Sequence, residues 1–174
     1  MTTNFLDSIT NQSTLSRIRR NHGLEHATIH VLTKRHPRTS LAGYSDSGGF
    51  WLLGDVATEE VLPAAQEALK RMRSGEKELA IHPNCGTNFV TAGSVAGIAA
   101  AAAMLTAGRQ WRDKLGRIPL AMTAATLALI LAQPLGFYLQ EHVTTSGEPG
   151  DLEIVEVTRS YKGKLTAHRV LTRG

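Results

Sequence analysis

The stretch NFVTAGSVAGIAAAAAMLTAG, residues 88–108, runs for 21 positions without a charged side chain. A helix needs about 20 apolar residues to cross the hydrocarbon layer of a bilayer, so this run is long enough to span one. After a short polar connector comes a second uncharged run, IPLAMTAATLALILAQPLGFYLQ at 118–140. Pro119 suits the first turn of a helix, and Pro134 kinks one. Two spans so close together predict a transmembrane helical hairpin, with helices at about 88–108 and 118–140. Gly93 and Gly97, four apart, form the small-residue face that lets membrane helices pack closely on partner helices. The competing reading is an alanine-rich hairpin buried in a soluble protein, because alanine is only weakly apolar. Length and the absence of charge favour the membrane.

Working outward, the hairpin divides the chain into a polar domain at 1–87, the hairpin at 88–140 and a polar tail at 141–174. The mean hydropathy of −0.12 averages over these unlike parts. The net charge is +4, from 19 Lys and Arg against 15 Asp and Glu, with the two signs interspersed. Such a mild excess does not argue for nucleic acid, and 5% aromatic residues offer few stacking platforms. A lone cysteine, Cys85, excludes an internal disulfide framework and fits a reducing compartment. The first residues, MTTNFLDSITNQSTLSRIRR, are polar and lack an apolar signal region.

In the leading domain, STLSRIRRNHGLEHATIHVLTK places Leu15, Ile18, Ala27, Val31 and Leu32 at helical spacing. Ser13 or Thr14 is the expected cap, and Pro37 lies just past the end. Gly23 costs about 1 kcal/mol inside a helix, so it is expected where a backbone or a metal site approaches closely. SLAGYSDSGGFWLLGDV reads as two strands around a Ser-Gly-Gly turn, with Phe50 and Trp51 on its inner face. TEEVLPAAQEALKRMRSGEK reads as a helix capped by Thr58 and stopped at Gly75. ELAIHP is expected to be a strand that delivers His82. In the tail, two β-rich runs flank a Lys-Gly turn and predict a C-terminal β-hairpin. The expected fold is therefore α+β: a small metal-binding domain, a two-helix membrane hairpin and a β-hairpin.

Within this helix, NHGLEHATIH concentrates three of the chain's 7 histidines. Residues four apart share a helix face, so His22 and His26 can aim at one ion with Glu25 beside them. This is the H-x-x-E-H pattern, in which two imidazoles hold the ion and the carboxylate takes a proton from water. A third ligand is needed, and IHPNCGTNF offers His82 and Cys85 on a turn stiffened by Pro83. Thr87 or Asn88 is expected to cap the following helix, whose N-terminus favours the thiolate of Cys85. His30 lies about 12 Å along the axis from His22 and is the less favoured ligand for the same ion. The pattern points to zinc. Glu141 and His142 are candidate supporting groups, while Glu25 pairing with Arg19 or Arg20 is the plain structural alternative. His36 and His168 read as ordinary.

HGLEH followed by HPNCGTNF, directly before an apolar run, resembles the YqhQ-like group of bacterial membrane proteins, described as predicted metal-dependent enzymes. The chain is also similar to a small uncharacterised family with both motifs and the GFWLLGDV hairpin between them. The likeness covers residues 20–108 well and the remainder loosely. It implies His22, Glu25, His26, His82 and Cys85 as site positions. The inverted-motif metallopeptidases differ, being much larger, with a third ligand from a downstream glutamate where this chain has its alanine run.

The resulting expectation is a zinc-type hydrolase in the bacterial cytoplasmic membrane, in contact with lipid, with Glu25 as general base. The alternative is a non-catalytic accessory or assembly subunit of a membrane complex with a structural metal site. For orientation, the basic connector RQWRDKLGR favours the cytoplasm. A thiol and a leading domain without a signal favour a cytoplasmic site, which is the reading taken here.

Overall fold

The computed structural model describes residues 13–162 and 165–174. It divides into two compact units, one running up to His82 and including Glu141–Gly174, the other Pro83–Gln140.

In the first unit, helix α1 (Ser13–Arg35) is followed by strands β1 (Ala42–Asp46) and β2 (Gly49–Leu53) and helix α2 (Thr58–Arg73). The chain returns to this unit as β3 (Glu153–Lys162) and β4 (Leu165–Arg173). Every pairing is antiparallel, in the order β1-β2-β4-β3. Both expected hairpins are present, and the pairing of β2 with β4 joins them into one sheet. The Lys-Gly turn includes Gly163, which lies outside the described residues.

Alternation along the strands decides which face is buried. Phe50 opposes Val170, which opposes Val157, and this row meets α1 and α2 through Leu24, Ala27, Leu32, Val61, Ala65 and Ala68. Trp51 lies on the other face, stacked with Tyr44 at 6.2 Å and covered by the Arg169 guanidinium at 5.4 Å. The inner-face expectation thus holds for Phe50, while Trp51 faces outward.

Two local expectations in this unit are corrected. Thr58 is the first residue of α2, and its N-cap is Ala57, with no side-chain cap. The Thr58 hydroxyl is instead hydrogen-bonded to Nε2 of buried His168 at 3.1 Å, a buried ring nitrogen that needs a partner. ELAIHP is not a strand, for Lys77–Ala80 forms one turn of 3-10 helix that buries Leu79 and Ala80. A short apolar run does not distinguish the two forms, and burial against α1 decides between them here. Gly75 does end α2, with φ +104°.

The second unit holds helices α3 (Gly86–Leu105), α4 (Trp111–Leu131) and α5 (Gln133–Leu139). Both α3 and α4 are long and apolar enough to cross a membrane. The connector predicted before residue 118 is already helical. Gln110 and Asp113 form a reciprocal capping box, so α4 starts seven residues earlier and runs through Pro119. The Pro134 kink appears as the break between α4 and α5. Neither Thr87 nor Asn88 caps α3. Cys85 occupies that position, and Asn88 turns its amide back to donate to the Pro83 carbonyl at 2.9 Å. A Cβ at Gly136 would lie 3.1 Å from the Asn88 Cα, so α5 packs closely on α3, where Gln140 donates to Asn88 at 3.0 Å.

Candidate metal centre

His22, His26 and His30 repeat every four residues and line one face of α1. The 3-10 turn runs along that face. The carbonyls of its last residue, Ala80, and of the following Ile81 have no partner within the turn, and imidazoles supply the missing donors. His26 donates from Nδ1 to the Ala80 carbonyl at 2.7 Å, and His30 donates from Nε2 to the Ile81 carbonyl at 2.8 Å. His22 donates from Nδ1 to the Thr144 carbonyl at 3.0 Å, in a π-helical segment, Gln140–Thr144. A carbonyl can only accept, so each bond fixes a tautomer. In the neutral rings the ligating lone pair is then at Nε2 of His22 and His26 and at Nδ1 of His30. Metal-binding histidines characteristically use one ring nitrogen in this way to aim the other.

The four rings form a continuous row. His22 and His26 have centroids 4.4 Å apart, His26 and His82 5.5 Å, and His82 and His30 5.0 Å. Burial, with a smaller contribution from the positive charges that His26 and His30 can carry, lowers the pKa of His82 to about 4. His82 is therefore neutral at pH 7, the form in which imidazole ligates. Cys85, buried and without a disulfide, follows three residues later. One nitrogen each from His22 and His26 lie close enough together to serve one metal ion.

Glu25 occupies the neighbouring side of α1. Its carboxyl is buried, accepts from the Ser45 hydroxyl at 2.5 Å and lies against β1. A Cβ at Gly43 would come within 2.5 Å of Glu25 Oε1, so a glycine in β1 makes room for the acid. Burial pushes this carboxyl above the usual carboxylate range, against the Ser45 hydrogen bond and the nearby charge of His22. The pairing with Arg19 or Arg20 does not occur. Arg19 donates to the His142 carbonyl at 3.0 Å, and Arg20 pairs with Asp151.

Beside the 3-10 turn opens a cleft of about 660 Å³, lined among others by Arg19, Glu78, Ala80, Ile81, Glu141 and His142. Ala80 and Ile81 thus contribute both to the wall of this cleft and to the orientation of His26 and His30. Gly23 provides the close approach expected of it, since a Cβ there would lie 2.1 Å from the Ser146 carbonyl oxygen.

His22 and His26 lie together as the spacing requires, with His82 against His26. Sequence reasoning passed over the backbone carbonyls that orient the rings, Ser45 as partner of Glu25, and the position of His30 against His82. For His30 the sequence carried only half the signal: the i to i+4 step from His26 places it on the shared face, and says nothing of His82. The carbonyls had none, being recognisable only once the chain is folded.

Taken together, the geometry describes a small α+β protein with a histidine-lined helix face and two helices long enough to span a membrane. The chain belongs to the family described as Domain of unknown function (DUF6391), whose model matches residues 17–157. It is similar to an uncharacterized protein of Picosynechococcus sp. (strain ATCC 27264 / PCC 7002 / PR-6), at 40% identity over 81% of this chain and 72% of that protein. No solved structure matches it.

Proposed function

We propose that this protein is a metal-dependent hydrolase acting at a membrane surface, with His22, His26 and Cys85 as ligands and Glu25 as general base. The observation that carries the reading is the commitment of Nδ1 of both His22 and His26 to backbone carbonyls, which leaves Nε2 of each ring as the ligating nitrogen. Two imidazoles and a thiolate suit zinc, and three protein ligands leave a fourth position open to substrate. The ion supplies a Lewis acid. Glu25 accepts the proton of the attacking water, and Ser45 holds its carboxyl in place. The cleft beside Ala80 and Ile81 receives the substrate. Helices α3 and α4 anchor the protein in lipid, which favours a lipid-linked or membrane-embedded substrate. The likeness of the two motifs to the YqhQ-like group supports the same chemistry.

Elemental analysis and turnover of Glu25→Gln test the proposal, using chromogenic ester, phosphate and amide substrates in detergent micelles. Glu25→Gln is expected to keep its metal and fold but lose at least about 100-fold in turnover, the scale of general-base catalysis. Undiminished turnover in that variant, or wild-type protein purified without metal, overturns it. The burial of His26 and Cys85 favours a second reading, a structural zinc clip in an accessory subunit. That reading expects Glu25→Gln to be silent and His26→Ala or Cys85→Ala to unfold the protein.

A further inference from the structure

We propose that His30 and His82 hold a second divalent transition-metal ion, at a position separate from the His22, His26 and Cys85 group. The inference goes beyond the proposed hydrolysis and uses two side chains that the proposal leaves without a task. The His30 and His82 rings lie with centroids 5.0 Å apart and planes inclined at 57°. Two imidazoles bound to one tetrahedral ion through nitrogens about 2.0–2.1 Å away have ring centres about 5 Å apart. The observed spacing therefore already suits a shared ion.

Orientation adds an independent observation. The His30 Nε2 hydrogen is committed to the Ile81 carbonyl at 2.8 Å, which leaves Nδ1 as the basic nitrogen. Ile81 directly precedes His82 in the chain, so one short segment both aims the first ring and carries the second. His30 cannot join the first group, because eight residues of helix separate it from His22 by about 12 Å along the axis. His26, whose Nδ1 is committed to Ala80, has a single ligating nitrogen, and the first group uses it. Both His30 and His82 are half-buried, so solvent completes the coordination and the ion exchanges. Imidazole with water suits zinc, cobalt, nickel or copper rather than calcium or magnesium.

The test is titration of the full, tag-free chain in detergent micelles with cobalt(II) chloride, followed by equilibrium dialysis and absorption spectroscopy. Two equivalents are expected: one with an intense thiolate charge-transfer band from Cys85, the other with weak ligand-field bands alone. His30→Gln, whose amide can still donate to the Ile81 carbonyl, is expected to bind one equivalent with the charge-transfer band intact. His82→Ala is expected to do the same, and the retained band reports that each variant is folded. A single equivalent in the wild type that His30→Gln leaves in place, or two equivalents in both variants, overturns the proposal. Loss of an equivalent in His30→Gln without any charge-transfer band in the wild type supports this site while sinking the Cys85-containing one.

Discussion

Helices α1 and α4 have similar lengths, 23 and 21 residues, and opposite relations between polarity and burial. Helix α1 is studded with arginines and histidines, yet ten of its residues are buried, among them Asn21, Glu25, His26 and Thr28. Helix α4 is largely apolar beyond its first turns and buries only Ala121. Each of these four side chains has a named partner: Asp46 and Thr172 for Asn21, Ser45 for Glu25, Ala80 for His26 and Leu24 for Thr28. Burying such groups is costly unless their hydrogen bonds are made, so α1 is held in one register by its partners. On α4 the large side chains point outward, with Leu131 77% exposed and Ile130 and Met122 also open. A contiguous apolar surface of this kind marks contact with something other than water. Burial on α1 is specific, and exposure on α4 is generic.

This contrast makes quantitative expectations, the largest on α1. Leu32, at 0% exposure in the core, is expected to cost about 2–5 kcal/mol when replaced by alanine. Denaturant unfolding in micelles, followed by circular dichroism, measures it. Gly23→Ala comes next, because the new methyl meets the Ser146 carbonyl and something must shift. Overpacking of this kind costs about 1–3 kcal/mol. Unaltered stability there means that the segment around Ser146 yields and does not hold α1 in place.

A smaller effect concerns His168, buried on β4, whose pKa is lowered by burial and by the Arg159 charge, against a weaker pull from Glu59. Below its ordinary value of 6.5 the unfolded chain binds a proton that the folded ring refuses. Stability is therefore full above that pH and declines as pH falls towards the folded pKa. His82 adds to the decline in the same direction. His168→Gln is expected to make the slope shallower by less than about 1.4 kcal/mol per pH unit, the limit for one proton. A slope unchanged by this variant removes His168 from the account. The smallest expectation is Leu131→Ala, within about 0.5 kcal/mol in the same micelles. A cost equal to that of Leu32→Ala breaks the comparison, because it makes α4 a packed helix like α1.

Legibility in the sequence followed the same division. Helix α3 was recognisable to within a few residues because absence of charge is a local property that needs no partner. The α4 boundary was misplaced because a capping box, also local, was overlooked behind a connector read only for its charge. ELAIHP was misread for a different reason. Its conformation is set by what it packs against, and its six residues alone do not contain that information.

What the chain by itself determined is the periodic and the local: two uncharged spans, the α1 pattern with histidines every fourth residue, and the two strand-turn-strand hairpins. Tertiary structure alone decided the joining of β2 to β4, the placing of Ser45 and Gly43 around Glu25, and the meeting of His30 with His82. The physical reason is separation along the chain. Ring-orienting carbonyls lie 51 to 122 residues from their histidines, and every residue type carries the same carbonyl. No choice of side chain advertises such a partner in advance; folding alone brings it into reach.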